Sequence, residues 1–260
     1  MPFLSQIFFG GTKSPSTSRR FRRIVALLLL WLMLPLAMAK GGPESLVASN
    51  FRHERFPAPD VPARERVDDS YFQDAILVGD STARGLRLSQ KIPALEVLSV
   101  IGISPRTAAT TKLFEHENKP VKLAEKLVAL QPSMVYLWLG SNGVDTKDAP
   151  RVVQDYNHLL NVLLTALPDT PFILMELTPV KLSAQERYRN YTNKRVDLFN
   201  EGLREAASRH NVYILPINSL LKNEKNLLAG HYGAKDGIHL TNAAYEVIAD
   251  FLYTHTIPVE

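Results

Sequence analysis

Compact apolar segments alternate with longer segments of helical periodicity from about residue 71 onward. Each apolar segment is short and rich in branched side chains, as strands buried on both faces of a sheet are. These predicted strands are Ala75–Val78, Leu95–Ile101, Met134–Leu139, Phe172–Leu177 and Val212–Leu215. The predicted helices are Thr107–Glu115, Val121–Leu130, Arg151–Leu167, Ala184–Arg209 and Asn242–Tyr253.

The repeated order of strand and helix predicts an α/β fold, with a parallel sheet of five strands and helices on both of its faces. In such sheets, ligands bind in the crevice beyond the carboxyl ends of the strands. We therefore expect any functional residues directly after the predicted strands.

The first 39 residues have the pattern of an export signal. Five basic residues and no acid come before the apolar run Ile24–Leu36, which leads into Ala37-Met38-Ala39. This order is typical of a signal peptide that is cleaved after Ala39. The apolar segment 24–39 is about 16 residues long, whereas a membrane span needs about 20 residues. An uncleaved anchor that tethers the domain to a membrane is the other interpretation of this segment. Both alternatives predict an exported domain that is periplasmic, cell-surface or secreted.

Residues 40–70 have the composition of a flexible linker. They contain Gly41-Gly42-Pro43, Phe56-Pro57-Ala58-Pro59 and Val61-Pro62, with no sustained periodicity. A loosely packed amino-terminal arm fits this composition equally well. The folded domain is predicted over residues 71–256.

The formal charge of +4 comes from the amino-terminal segment. The chain has 30 Lys and Arg and 26 Asp and Glu, and subtracting the five basic residues of segment 1–39 leaves 25 against 26, or about −1. Such a domain lacks the basic surface expected of a nucleic-acid-binding protein, so no nucleic-acid partner is predicted.

Cysteine is absent, which excludes disulfides and thiolate catalysis. The histidines show no metal-ligand spacing, and we predict neither a metal nor a cofactor.

Three candidate site residues follow predicted strands. Ser81 stands at a strand-to-helix turn, where its hydroxyl faces the crevice, and is the candidate nucleophile. Gly102 follows the second strand and can offer its backbone N–H to a ligand, while Asn142 follows the third strand and can donate from its amide. Each of the three also fits ordinary turn chemistry when taken alone.

A candidate base and acid come just before the final predicted helix, in Asp236-Gly237-Ile238-His239. A carboxylate three residues before a histidine can orient the imidazole so that its far nitrogen faces Ser81. In isolation, a turn aspartate and a helix-start histidine are the more common explanation. The joint occurrence of a nucleophile, two oxyanion donors and an oriented base, each where the fold expects it, favours catalysis.

These four blocks resemble those of the SGNH hydrolases, also called GDSL-type esterases and lipases. The resemblance spans roughly residues 71–255 and rests on Gly79-Asp80-Ser81, Gly102, Gly140-Ser141-Asn142 and Asp236–His239. Two positions depart from the family pattern. Thr82 stands where the serine block often ends in leucine, and Gly143 replaces an acidic residue that often follows the asparagine.

The resemblance implies a flavodoxin-like, three-layer α/β/α sandwich and a serine esterase without a cofactor. Ser81 would attack an ester carbonyl, His239 would take the serine proton and Asp236 would hold the imidazole. The N–H groups of Ser81 and Gly102 and the Asn142 amide would form the oxyanion hole. The expected substrate is a small-molecule or polysaccharide ester: an O-acetyl group on a carbohydrate or cell-wall polymer, or a small lipid ester.

Two other functions stay open. An O-acyltransferase would use the same triad, with a sugar hydroxyl in place of water. A non-catalytic carbohydrate-binding protein would keep the fold, but loss of Ser81, Asp236 or His239 would be its expected signature, and the chain has all three. The oligomeric state is left open by the sequence.

Overall fold

A parallel β-sheet forms the centre of the protein in the computed structural model, which describes residues 59–258. Its strands within that range are β1 (Ala75–Gly79), β2 (Glu96–Ser99), β5 (Met134–Trp138), β6 (Phe172–Met175) and β7 (Tyr213–Leu215). They lie in the order β2-β1-β5-β6-β7, and every neighbouring pair is parallel. A separate antiparallel hairpin consists of β3 (Phe114–His116) and β4 (Lys119–Val121).

Helices occupy most of the connections between these strands. They are α1 (Ser81–Ser89), α2 (Pro105–Thr110), α3 (Leu123–Leu130), α4 (Ser141–Val144), α5 (Ala149–Ala166), α6 (Leu182–Arg187), α7 (Asn193–His210) and α8 (Asn242–Thr254). Short 3-10 turns lie at Asp69–Phe72 and Ser219–Leu221.

Two hydrophobic clusters cover the two faces of the sheet. On one face, Ile76 and Val78 of β1 pack with residues of α2, α3, α5 and α7. On the other face, Ala75 and Leu77 pack with residues of α1 and α8. Successive side chains of a strand point to opposite faces, so a strand that is apolar throughout needs helices on both sides. The predicted three-layer α/β/α sandwich is confirmed, including its five-stranded parallel sheet.

The carboxyl ends of three strands meet because β1 lies between β2 and β5. Gly79 pairs with Ser99 of β2 and with Trp138 of β5. A Cβ at Gly79 would lie 2.4 Å from the Cβ of Ala83 and 2.8 Å from the carbonyl oxygen of Trp138. Glycine therefore allows α1 to turn back closely over the sheet. The segments that follow β1, β2 and β5 share one edge of the sheet.

The prediction of a helix over Thr107–Glu115 is wrong beyond Thr110. There α2 ends, and the following residues enter the β3–β4 hairpin. Its turn is formed by Glu117 and Asn118, whose φ angles are 49° and 61°. Two successive left-handed residues suit a two-residue hairpin turn, and asparagine adopts that conformation more readily than most residues. The pairing partner, β4, decides the strand conformation of β3.

The prediction of one helix over Ala184–Arg209 is also wrong, because residues 188–192 separate α6 from α7. The Asn193 side chain accepts a hydrogen bond from the N–H of Val180 and donates one to the Val180 carbonyl, both at 2.8 Å. Thr192 caps α7 by accepting from the N–H of Arg195. These contacts start a new helix although the amphipathic pattern continues across the break.

An amino-terminal arm, residues 59–70, packs on the domain. Val61 is buried and its N–H donates to the carbonyl of Ile214 at 3.0 Å, while the N–H of Val67 donates to the carbonyl of Tyr253 at 3.0 Å. For this part of the predicted linker 40–70, the packed arm is the alternative that fits.

Residues 40–58 and the predicted signal or anchor, including segment 24–39, lie outside the described residues. No helix within 59–258 is long and apolar enough to cross a membrane.

Candidate active site

Ser81 is the first residue of α1 and directly follows the helix cap Asp80. The Asp80 carboxylate accepts a hydrogen bond from the N–H of Thr82 at 2.8 Å. Aspartate at this position satisfies a backbone donor that the first turn of a helix leaves without a partner. The turn leaves Ser81 partly exposed at the carboxyl edge of the sheet.

Hydrogen bonds from Lys181 and hydrogen bonds within the loop itself hold the loop that carries Asp236 and His239. The backbone N–H of Lys181 donates to the carbonyl of Gly237 at 2.9 Å, and the Lys181 ammonium donates to the carbonyl of Gly233 at 2.6 Å. Within the loop, Asp236 Oδ1 accepts the backbone N–H of His239 at 3.0 Å. Such aspartate-to-backbone bonds stabilise tight turns. The loop therefore positions the imidazole.

His239 joins Ser81 to Asp236. His239 Nε2 lies 2.9 Å from Ser81 Oγ, and His239 Nδ1 lies 2.6 Å from Asp236 Oδ2. An ionised carboxylate only accepts hydrogen bonds, so a neutral imidazole in this geometry carries its proton on Nδ1 and leaves Nε2 to accept from the serine hydroxyl. The structure brings together the three side chains that the sequence selected as nucleophile, base and orienting acid.

Hydrogen bonding favours the ionised form of Asp236. Burial alone would raise the pKa of Asp236, but the hydrogen bonds from the His239 ring and from the N–H groups of Ile238 and His239 outweigh it, and the pKa lies below its usual value. The side chains of His239 and Asp236 are 46% and 37% exposed, so the site is open to solvent. Within residues 59–258, no group of three or more His, Asp or Glu side chains is arranged to hold a metal ion.

Gly102 lies in the loop after β2, with a φ of 79°. No atom of the described residues lies within 4 Å of a Cβ placed on Gly102, so its left-handed backbone, and not a lack of space, favours glycine there. The loop begins beside the serine turn, because the N–H of Val100 donates to the carbonyl of Gly79 at 3.1 Å.

Asn142 reaches the serine turn from α4. Its Nδ2 lies 3.0 Å from Asp80 Oδ2 and 3.2 Å from the carbonyl oxygen of Ile103. One amide thus contacts both the residue before Ser81 and the loop that carries Gly102. Both amide hydrogens have acceptors within the protein, so donation to an oxyanion requires that one of them be released or shared.

The model of the GDSL-like lipase/acylhydrolase family matches residues 69–247, more than half of the chain. The chain belongs to this family. It is accordingly a hydrolase that acts on ester bonds.

Solved structures share the fold of this GDSL-like hydrolase. A GDSL-like lipase from Bacteroides thetaiotaomicron is 13% identical with a TM-score of 0.57, and the match covers 70% of this chain and 87% of that chain. The lipase/acylhydrolase from Enterococcus faecalis is 12% identical with a TM-score of 0.51, covering 69% and 93%. At these identities the likeness concerns the fold alone. The comparison with curated proteins returned no match.

The contacts of Asp80 in this GDSL-like hydrolase are not predicted by its sequence. Ser141 Oγ donates a hydrogen bond to Asp80 Oδ2, the same oxygen that Asn142 contacts. Asp80 is 1% exposed, and burial raises its pKa, against the opposing effect of hydrogen bonds from Ser141 and Thr82. The available signal was that Asp80 and Ser141 each follow a predicted strand. That those two strands are neighbours is a property of the sheet order.

Tyr191 is a second residue near the site that the sequence did not predict. It is buried beside Ser141. Burial and the charges of Asp80 and Asp145 raise the pKa of its phenol, and a hydrogen bond with Ser141 opposes this increase only in part. The phenol reaches Ser141 from the segment before α7.

Proposed function

We propose that this GDSL-like hydrolase is an exported serine esterase that removes O-acyl groups by a Ser-His-Asp mechanism. The observation that carries the mechanism is the 2.9 Å contact between His239 Nε2 and Ser81 Oγ. It gives Ser81 a base within hydrogen-bond reach, and Asp236 occupies the other ring nitrogen. Export rests on the sequence pattern of residues 1–39.

The proposed reaction has two halves. Ser81 Oγ attacks the acyl carbon, its proton moves to His239 Nε2, and the carbonyl oxygen becomes an oxyanion. The bond to the leaving alcohol then breaks as His239 gives that proton to the alcohol oxygen, which leaves an acyl-serine. In the second half, water attacks the acyl carbon and gives a proton to His239. His239 returns this proton to Ser81 Oγ as the carboxylic acid leaves.

The oxyanion would be stabilised by three donors: the N–H groups of Ser81 and Gly102 and the amide of Asn142. Donors aimed at a developing negative charge usually contribute the largest share of acyl-transfer catalysis. Loss of one such donor costs about 3 to 4 kcal/mol of transition-state stabilisation.

The open site supports a substrate with a large alcohol part. The side chains of His239 and Asp236 are both more than a third exposed. Ile101, directly before Gly102, is 66% exposed and offers apolar surface at the same edge. A sugar within a polymer can approach such an open edge. We therefore propose O-acyl esters of such alcohols as substrates, above all O-acetyl groups on a carbohydrate or cell-wall polymer, with small lipid esters as the other class.

A fluorophosphonate probe tests the nucleophile. Wild-type protein should be labelled covalently, and Ser81→Ala should not be labelled. The matched control is Ser89→Ala, which changes a serine at the opposite end of α1 and should label like the wild type. Absence of labelling in folded wild-type protein would instead favour the non-catalytic binding function.

Product analysis tests the substrate class. Short p-nitrophenyl esters should be hydrolysed faster than long ones, and acetate should be released from an O-acetylated polysaccharide. Transfer of acetyl to an added sugar without acetate release would identify an acyltransferase. Preference for long acyl chains would contradict the proposed substrate class.

A further inference from the structure

Asp80 is a buried acidic residue next to the nucleophile in sequence. It takes no part in the proton transfers between Ser81, His239 and the substrate. Besides capping α1, it accepts hydrogen bonds from Ser141 Oγ and from Asn142 Nδ2. The Thr82 N–H and the Asn142 amide can only donate, and they contact Oδ1 and Oδ2 respectively, which matches an ionised carboxylate whose two oxygens both accept. Asp80 therefore links the start of α1 to the segment that carries Asn142.

The orientation of the Asn142 amide follows from its surroundings. Nδ2 faces the Asp80 carboxylate at 3.0 Å and the Ile103 carbonyl at 3.2 Å, and Ser141 Oγ lies 3.4 Å away. An amide oxygen turned toward either acceptor would be repelled, so the flipped amide is excluded by the contacts themselves.

The two amide hydrogens are held unequally. The hydrogen bond to Asp80 has a charged acceptor, and such bonds are about twice as strong as those between neutral groups. The hydrogen bond to the Ile103 carbonyl is longer, and its acceptor is neutral. A full negative charge on a substrate oxygen would compete successfully for the second hydrogen but not easily for the first.

We propose that Asp80, held by Ser141, is a positioning residue that fixes one hydrogen of the Asn142 amide and leaves the other to move from the Ile103 carbonyl to the oxyanion. This inference rests on the proposed esterase function. It makes the resting contact with Ile103 a temporary satisfaction of the amide, from which the hydrogen is released when the oxyanion forms. Ser141 contributes by tying the carboxylate to α4.

A double-mutant cycle tests this inference on a short p-nitrophenyl ester. Asp80→Asn keeps an oxygen to accept from the Thr82 N–H, so the helix cap is retained, but it turns donor hydrogens toward Asn142 Nδ2. We expect Asp80→Asn to lower kcat about a hundredfold with KM changed less than about threefold, which is the scale of losing an oxyanion donor. In the Asn142→Ala background, Asp80→Asn should cause no further loss. Independent, multiplying losses would overturn the proposal.

Two further variants separate this role from a structural one. Asp148→Asn changes another capping aspartate, which accepts from the Arg151 N–H at the start of α5, and should leave kcat unchanged. Ser141→Ala, at a half-buried position, tests the same link if Asp80→Asn fails to fold. It should lower kcat about tenfold, on the scale of one hydrogen bond, and only when Asn142 is present. A Ser141→Ala variant with wild-type kcat, or with the same loss in both backgrounds, would overturn the link.

The amide signal of Asn142 provides a readout independent of activity. In nitrogen-15 NMR spectra, its side-chain NH₂ resonances are identified by their absence in Asn142→Ala, and they should move in Asp80→Asn. Unmoved resonances would overturn the positioning role. If the wild type is no more active than Ser81→Ala, the proposed esterase function is wrong. The NMR comparison then still tests whether Asp80 positions the Asn142 amide.

Discussion

At the scale of single residues, Asp236 uses its two oxygens for different partners. Oδ1 accepts backbone N–H groups of its own loop, and Oδ2 accepts the His239 ring. These bonds favour the ionised form and lower the pKa of Asp236 below its ordinary value of 3.8, despite an opposing effect of burial. An acid with a lowered folded-state pKa adds stability above its unfolded-state pKa, and this stability is lost as the pH falls through the folded-state pKa.

Asp236→Asn should therefore affect both catalysis and stability. We expect kcat to fall a thousandfold to ten-thousandfold, because the wrong imidazole tautomer is favoured. The free energy of unfolding at pH 7 should lie below that of the wild type, and the difference should narrow as the pH falls below the ordinary aspartate pKa of 3.8. The difference should be small, since the carboxylate is more than a third exposed and is screened by solvent. Urea unfolding at pH 7 and at an acidic pH below 3.8 measures the difference in the free energy of unfolding between variant and wild type. A difference unaffected by pH would contradict the role assigned to Asp236.

At the scale of elements, α1 and α8 interlock beside the site. The Tyr245 hydroxyl of α8 donates to the carbonyl of Thr82 in α1 at 3.0 Å. Gly85 leaves room for that phenol, because a Cβ there would lie 1.9 Å from the Tyr245 oxygen. The contact joins the helix that begins with Ser81 to the helix that follows His239.

Gly85→Ala should destabilise the protein although alanine is the better helix former. The propensity gain is about 1 kcal/mol, whereas overpacking at a close contact costs about 1 to 3 kcal/mol. Thermal unfolding should show a lower Tm. The control is Gly230→Ala, because no atom in the described part of the chain lies within 4 Å of a Cβ added at Gly230. Its effect on the free energy of unfolding should stay within about 0.5 kcal/mol. A Tm above that of the wild type would mean that Tyr245 moves aside without cost.

At the scale of the whole domain, the arm covers an edge of the sheet. Asp60 bridges to Ile214 of β7, and the Ile214 N–H donates to the carbonyl of Pro59 at 2.8 Å. Unpaired backbone groups at a sheet edge invite association with other chains. Arg204 adds a charged contact, since it donates to both Asp60 and Glu176. The arm is therefore part of the folded domain.

A truncation tests the arm, with a chain that starts at residue 59 as the control. A chain that starts at residue 69 loses the burial of Val61, about 1.5 to 3 kcal/mol, and its Tm should fall by about 3 to 12 °C at about 2 to 4 °C per kcal/mol. Equal Tm values for the two chains would show that residues 59–68 contribute nothing to stability.

The sequence by itself determined the layers and the candidate residues of the site. Segments such as Ala75–Gly79 are apolar throughout because both faces of a central strand are buried, and that pattern is local. The candidates Ser81, Asp236 and His239 were also found locally, since each stands at a strand end or just before a helix start. Their meeting required only that the ends of parallel strands face the same edge.

Tertiary structure alone decided what depends on distant partners. The end of α2 follows from the pairing of β3 with β4, and the break before α7 follows from the bonds between Asn193 and Val180. The contact between Asp80 and Ser141 exists because β5 lies beside β1, although β2 to β4 come between them in the chain. Local periodicity reports which side chains are buried, but the identity of the neighbour is set by the packing of the whole sheet.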